Sequence, residues 1–170
     1  MRKLQLATSL GGSLPGPAPA GKMLDVTYVA QHEKNSCWAA CWQMVRQCLG
    51  LTHMDQGMGT MAMTQRHDCA GLRCDQFPLS GGRGTLPLAD IVKEIDQRRP
   101  VGIQLGDTAT GHVVLVVGYG PGGRLEIFDP DGAVGHASIS YAMLATAGYR
   151  GKSWEASFYN FAARPADFAA

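Results

Sequence analysis

The sequence has almost no net charge, and it contains no apolar run long enough to cross a bilayer. Fifteen lysines and arginines face 14 aspartates and glutamates, which leaves a formal net charge of +1. Nucleic acids and acidic membrane surfaces select proteins with a clear excess of positive charge. A membrane-spanning helix needs about 20 consecutive apolar residues. The composition therefore predicts no nucleic-acid partner and no membrane partner.

Cysteine is too scarce, and odd in number, for a domain held together by disulfides. The 170 residues include five cysteines, so at least one is unpaired if every disulfide is internal. Small secreted domains that depend on disulfides usually have a higher cysteine density. The count fits a protein with a free, nucleophilic cysteine better.

The chain shows no internal repeat, and its length and 45% apolar content fit one globular domain. Glycine and proline are concentrated near the start, so we predict a flexible leader or linker over residues 1–22 and a folded domain over residues 23–165. The start resembles a signal peptide only faintly, because its middle is too polar. We therefore predict no signal peptide in this segment.

The apolar pattern predicts an α+β fold in which a helix precedes an antiparallel sheet. A helix over residues 37–49, capped by Asn35 or Ser36 and closed by Gly50, is apolar around most of its circumference and should be buried. A second helix begins near Thr85 and is stopped by Pro100. The other predictions are strands over 26–29, 101–105, 112–119, 124–129 and 154–161, a short helix over 140–147, and an irregular insert over 51–84 with at most one short helix.

Cys37 stands where the first helix begins, six residues after Gln31. The positive end of a helix dipole favours thiolate over thiol. A glutamine amide beside that sulfur can donate a hydrogen bond to an oxyanion, with the backbone N–H of Cys37 as the second donor. The alternative for a cysteine is a structural place in the core, which suits Cys41 and Cys48 further along the same helix.

His112 opens an apolar strand, and Asp129 ends the next one. If Gly118 pairs with Gly123, His112 and Asp129 lie directly opposite, on one face of the sheet. The histidine would be the general base and acid, and the aspartate would orient its ring. Alternatives are His32 for the base and Asp131 for the orienting carboxylate, and Asp129 also fits an ordinary Asp-Pro-Asp-Gly turn.

The insert contains three residues that could bind zinc, namely His67, Cys69 and Cys74. A structural zinc site needs four ligands, and the insert offers no clear fourth. We therefore predict no metal and no cofactor. A local disulfide between the two cysteines and two free thiols both remain open.

Three segments of the sequence resemble bacterial papain-like cysteine peptidases of the compact Cys-His-Asp type. They are Gln31-x5-Cys37-Trp-Ala-Ala, the stretch from Gly111-His112 to Gly118-Tyr119, and Phe128-Asp129-Pro130. The type includes injected effector proteases, interbacterial toxins and the leader peptidases of bacteriocin exporters. The resemblance implies a helical lobe packed on an antiparallel sheet, with the site in a cleft between them.

The resemblance also implies endopeptidase activity through a thioester on Cys37, with a protein or peptide as substrate. Trp38 stands where leader peptidases usually have glycine, which favours an effector or toxin, with an immunity or inhibitor protein as a candidate partner. An effector or toxin implies delivery by a specialised secretion system into the cytoplasm of a target cell. Alternatives are deamidation or acyl transfer by the same residues, leader-peptide processing, and a non-catalytic peptide-binding module. The substrate-binding residues are not predicted beyond two segments, 51–84 and 105–111.

Overall fold

The computed structural model describes residues 20–52, 72–77, 84–106 and 111–163 of the chain. Most of the predicted leader, most of the insert and most of the 105–111 segment lie outside these residues; the last leader residue, Lys22, belongs to the first strand. The helices are α1 (Cys37–Cys48), α2 (Leu88–Asp96) and α3 (Tyr141–Ala147), with a 3-10 turn over Pro121–Gly123. The strands are β1 (Lys22–Met23), β2 (Leu72–Phe77), β3 (Val101–Leu105), β4 (His112–Gly120), β5 (Arg124–Asp129), β6 (Gly135–Ser140) and β7 (Trp154–Ala163).

The strands form one seven-stranded antiparallel sheet in the order β2-β7-β3-β4-β5-β6, with β1 paired to β4. The predicted α+β class is therefore confirmed. In the part of the chain that the structure describes, no helix is long and apolar enough to span a membrane.

The central strand β4 has hydrophobic cores on both of its faces. Val113, Leu115 and Val117 pack in the cluster that contains α1, and Val114 and Val116 pack in the cluster that contains α2. Alternate side chains of a strand point to opposite faces, which explains why β4 is almost continuously apolar. The helix α1 is buried over Cys37–Val45, as predicted from its two apolar stripes.

The hairpin of β4 and β5 does not have the predicted register. Gly118 pairs with Glu126 and Gly120 with Arg124, and a register shift then leads to Leu115 opposite Phe128. Extending that last register would place Asp129 opposite Val114, two residues from His112. The turn is the physical reason for the difference: only Pro121–Gly123 separate the paired residues Gly120 and Arg124, whereas the predicted Gly118–Gly123 pair has four residues between. The bulge then changes the alignment by one residue.

Three secondary-structure predictions were wrong or incomplete. Residues 26–29 form no strand. The chain pairs with the sheet earlier, through β1, and the N–H of the next residue, Leu24, donates to the Val117 carbonyl at 2.8 Å. Residues 72–77 of the predicted irregular insert form strand β2, which pairs with β7; the short helix allowed for in the insert does not lie on the described residues. Strand β6, which pairs with β5, was not predicted.

Candidate active site

Cys37 is the first residue of α1, and its side chain is only 6% exposed. Ser36 occupies the N-cap position, but its hydroxyl bonds the backbone N–H and carbonyl of Glu33, both at 3.0 Å. Among the described residues, no side chain caps the helix. Ser36 therefore stabilises the approach loop, and the Cys37 sulfur accepts a hydrogen bond from the Trp38 N–H in the first turn.

His112 begins β4, and its two ring nitrogens are divided between Asp129 and Cys37. Nε2 bonds the Asp129 Oδ1 at 2.6 Å. The ring also hydrogen-bonds the Cys37 side chain, and Nδ1 is the nitrogen left for that contact. The structure therefore joins three residues that are far apart in the sequence. His32, the rival base, is exposed on the approach loop.

Asp129 ends β5, and its carboxylate is completely buried. Besides His112, the carboxylate accepts the Asp131 backbone N–H at 3.0 Å and an Arg150 Nη1 hydrogen bond at 3.3 Å. The Tyr149 hydroxyl bonds it as well. A buried carboxylate needs such partners to remain ionised. Asp131, the rival orienting residue, instead accepts from Arg150 at 2.7 Å.

Tyr149, Arg150 and Tyr28 surround Asp129, and the sequence analysis did not identify them. Tyr28 donates its hydroxyl hydrogen to the Asp129 backbone carbonyl at 2.9 Å. The only sequence signal for this part of the site was the glycine at position 151, which is typical of a short hairpin turn. Nothing in the sequence connects that turn with Asp129.

Charges in the site favour an ionised pair. Burial raises the pKa of the Cys37 thiol, but hydrogen bonds from His112 and from the Val113 and Trp38 backbone outweigh it, and the pKa lies below its ordinary value. Burial lowers the pKa of His112, but Asp129 and Cys37 outweigh it and raise the pKa to about 9. A thiolate beside an imidazolium is the activated form of a nucleophilic cysteine.

Cys37 is the only one of the four cysteines in the described ranges whose pKa is lowered. Burial raises the pKa of Cys41 well above its ordinary value, and the Cys41 thiol donates to the Val113 carbonyl at 3.4 Å. Burial also raises the pKa of Cys48 to about 11 and that of Cys74 to about 12. This pattern separates Cys37 chemically from Cys41 and Cys48, which lie on the same helix.

The pKa of the Asp129 carboxyl lies below its ordinary value although the carboxyl is buried. Burial raises the pKa of this carboxyl, and the hydrogen bonds from His112, the Asp131 backbone and Arg150 together lower it further than burial raises it. Asp129 is therefore an anion that can neutralise the His112 imidazolium. The chain of charges runs from thiolate to imidazolium to carboxylate to guanidinium.

Gln31 lies beside the same cleft. Its backbone N–H donates to the Pro130 carbonyl at 2.8 Å, which ties the approach loop to the turn after Asp129. Its side-chain Oε1 is buried and has no hydrogen-bond partner among the described residues. The cleft has a volume of about 610 Å³ and is lined by Gln31, Lys34, Asn35, Gly111, His112, Asp131, Tyr149, Arg150 and Lys152.

Within residues 20–52, 72–77, 84–106 and 111–163, no group of three histidine, cysteine or acidic side chains could hold a metal ion. Of the zinc candidates in the sequence, His67 and Cys69 lie outside these ranges. Cys74 lies on β2 and packs against the core that contains α1.

Comparison with solved structures shows a similar fold. The peptidase domain of Streptococcus ComA, described as a bifunctional ABC transporter involved in a quorum-sensing pathway, has a TM-score of 0.54 and 17% identity, over 81% of this chain and 100% of that domain. The peptidase domain of Streptococcus mutans ComA has a TM-score of 0.49 and 16% identity, over 79% of this chain and 98% of that domain. No curated protein sequence matches the chain significantly.

The family comparison covers most of the described fold, including α1 and the strands that carry His112 and Asp129. Residues 23–158 match the model of the "Peptidase_C39 like family". The match spans more than half of the chain and agrees with the sheet and the helix that bear the Cys-His-Asp arrangement. The chain therefore belongs to the Peptidase_C39-like family and is a papain-like cysteine peptidase.

Proposed function

We propose that the protein is an endopeptidase that cleaves peptide bonds through a thioester on Cys37. The observation that carries the proposal is the ring of His112, which bonds the Cys37 side chain and the buried Asp129 carboxylate at the same time. A nucleophile, a base in contact with it and a group that orients the base are the parts that acyl transfer requires.

In the first step, the Cys37 thiolate attacks the carbonyl carbon of the scissile bond. The carbonyl oxygen becomes an oxyanion and accepts hydrogen bonds from the Gln31 side-chain amide and the Cys37 backbone N–H. The C–N bond then breaks, and His112 gives its proton to the leaving amine. The products are a free amine and an acyl group bound to Cys37 as a thioester.

In the second step, His112 accepts a proton from water, and the resulting hydroxide equivalent attacks the thioester carbon. The C–S bond breaks, the carboxylic acid leaves, and the thiolate–imidazolium pair is restored. Asp129 keeps the His112 ring in one orientation through both steps. Deamidation would follow the same steps if the leaving group were ammonia from a side-chain amide.

The test is to incubate the protein with a mixture of peptides derived from whole proteomes and to analyse the products by mass spectrometry. We expect new peptide termini with the wild type and none with Cys37→Ala, and unchanged cleavage with Cys48→Ala as a matched control on the same helix. Peptides that gain about one dalton without a new terminus would show deamidation instead. If Cys37→Ala retained the full biological effect of the wild type, the protein would be a non-catalytic peptide-binding module and the proposal would be wrong.

The cellular role is a separate proposal, based on the sequence. We propose that the chain is delivered to target cells as an effector or toxin, and that its producer is protected by an immunity protein. Expression of the wild type in a bacterial cytoplasm should then stop growth, while Cys37→Ala should not. Harmless expression together with cleavage of a bacteriocin-type leader peptide would favour leader processing instead.

A further inference from the structure

Arg150 has a backbone conformation that arginine rarely adopts. Tyr149 and Lys152 exchange two backbone hydrogen bonds, at 2.9 and 3.0 Å, and so close a two-residue hairpin turn. The two central residues, Arg150 and Gly151, have φ values of 50° and 76°. Turns of this type favour asparagine or glycine at both positions. The turn itself therefore gives no reason for an arginine, and an outlier of this kind at a cleft points to function.

The Arg150 guanidinium joins two carboxylates at the edge of the site. Its Nη1 donates to the Asp129 Oδ2 at 3.3 Å and to the Asp131 Oδ2 at 2.7 Å. The side chain is 46% exposed, while that of Asp129 is 0% exposed. The guanidinium thus reaches from the open cleft to a buried carboxylate, and it contacts the oxygen of Asp129 that does not face His112.

We propose that Arg150 is a positioning residue for the peptidase reaction, because its guanidinium holds the Asp129 carboxylate so that Oδ1 stays directed at His112 Nε2. The inference rests on the proposed function of Cys37, His112 and Asp129. The Asp131 backbone N–H at 3.0 Å from Oδ1 supports the same orientation. Without the guanidinium, Oδ2 loses this donor, and the carboxylate is held only by its remaining partners and can turn more easily away from His112.

Removal of Arg150 also takes a positive charge away from the ionised pair, so the sign of the pH effect follows. His112 and Cys37 both hold their protons to higher pH when a nearby cation is lost. The acidic side of the activity profile, which follows Cys37, should therefore move upward. On the alkaline side, which follows His112, a weaker bond to Asp129 lowers the pKa of the ring and acts against the loss of the cation. The other titratable and charged groups around Asp129 and Arg150 are Tyr28, Lys34, Cys41, Asp131, Tyr149 and Lys152.

The variant Arg150→Asn separates this role from a role in folding. Asparagine suits the turn backbone, which offsets the lost ion pairs, so the melting temperature should stay close to that of the wild type. We expect kcat to fall roughly tenfold or more, because small displacements of catalytic groups have effects of that size, with little change in KM. The acidic side of the pH profile of kcat/KM should shift upward, and Arg150→Lys, which retains the charge, should return it toward the wild type.

The matched control is Arg124→Gln, which removes an exposed arginine from the opposite end of β5 and should change neither kcat nor the profile. A normal kcat and profile in Arg150→Asn would overturn the inference, as would a rise in KM alone, which would make Arg150 a substrate contact. The rate of Cys37 alkylation by iodoacetamide against pH repeats the test without a peptide substrate. An upward shift there supports the inference even if peptide cleavage, and with it the proposed function, fails.

Discussion

At the residue scale, each ionised group of the site is stabilised by a group of opposite charge. The Cys37 thiolate is bonded by the His112 ring, the ring by Asp129, and Asp129 by Arg150. Burial disfavours the charged forms of both Cys37 and His112, but the hydrogen bonds of the site shift the two pKa values further in the opposite direction. The reactivity of Cys37 therefore belongs to the group and not to the cysteine alone.

The pKa shifts of Cys37 and His112 predict how the rate of Cys37 alkylation depends on pH. Because the pKa of Cys37 is lowered while that of His112 is raised to about 9, the thiolate should persist below the ordinary cysteine pKa of about 8.5. Iodoacetamide should then label Cys37 rapidly at neutral pH. In His112→Ala the labelling rate at that pH should fall at least roughly tenfold and should rise only when the thiol ionises by itself.

Labelling sites are identified by peptide mapping, which also supplies the internal control. Cys41 and Cys48, whose pKa values are raised, should label slowly in both proteins. Equal labelling of Cys37 in the wild type and in His112→Ala would show that the imidazole does not activate the sulfur.

Replacement of Asp129 by asparagine should affect catalysis more than binding. The amide keeps the shape of the carboxylate but has no charge with which to stabilise the imidazolium, and it can favour the wrong ring tautomer. We expect kcat to fall by a factor of roughly 10²–10⁴ with a small change in KM. Asp131→Asn, which alters the partly exposed neighbour, should have a much smaller effect; a similar loss in both variants would contradict the assignment.

At the element scale, β4 positions much of the site. His112 is its first residue, its register shift near Gly118 sets its alignment with β5, and its far end pairs with β1. Gly118 has a specific reason to be glycine: a Cβ there would lie 2.6 Å from the Lys22 carbonyl oxygen and 3.0 Å from the Met23 Cα. Any side chain at Gly118 therefore conflicts with the backbone of β1.

The substitution Gly118→Ala should release β1 from the sheet and destabilise the protein. Overpacking against a backbone typically costs about 1–3 kcal/mol, and the expected sign is a lower free energy of unfolding in urea. Gly120→Ala, two residues away on the same strand, is the control, since its Cβ would have no neighbour closer than 3.7 Å. Equal stability of the two variants would mean that β1 adapts without loss.

At the scale of the whole molecule, one sheet supports two cores, and the site lies where β4 begins and β5 ends. The cluster that contains α1 places Cys37 on one face, and the cluster that contains α2 supports the other. The site therefore draws its residues from a helix, two strands and a turn. Its charges consequently influence the stability of the fold as a whole.

The raised pKa of His112 predicts the pH dependence of stability. The unfolded value is about 6.5, so its stabilising contribution is complete below that pH and is lost as the pH rises through about 9. The test uses Cys37→Ala, which cannot cleave itself and lacks the coupled thiol. Because Cys37 no longer raises the pKa of His112 in this variant, the window ends below pH 9. The melting temperature should fall as the pH rises from about 6.5, and the fall should be smaller in Cys37→Ala/His112→Gln; identical curves would contradict the prediction.

Much of the fold could be read from local sequence patterns. Strands β3 and β5 have the predicted bounds, and α1 ends one residue before the predicted Leu49, ahead of a glycine with positive φ. These elements have clear apolar periodicity and clear stop signals. Strand β6 and the insert strand β2 were not predicted because they are edge strands with few buried side chains. Their extended conformation depends on pairing, of β6 with β5 and of β2 with β7.

The sequence by itself determined the chemical types: a cysteine at the start of a buried helix, a histidine at the start of an apolar strand, an aspartate at the end of the next, and a glutamine upstream. These follow from short-range patterns. Only the tertiary structure decided how they meet. A shorter turn and a register shift in the β4–β5 hairpin replaced the predicted register, and a distant turn brought Tyr149 and Arg150 to Asp129. Both depend on long-range packing and electrostatics, which no local pattern encodes.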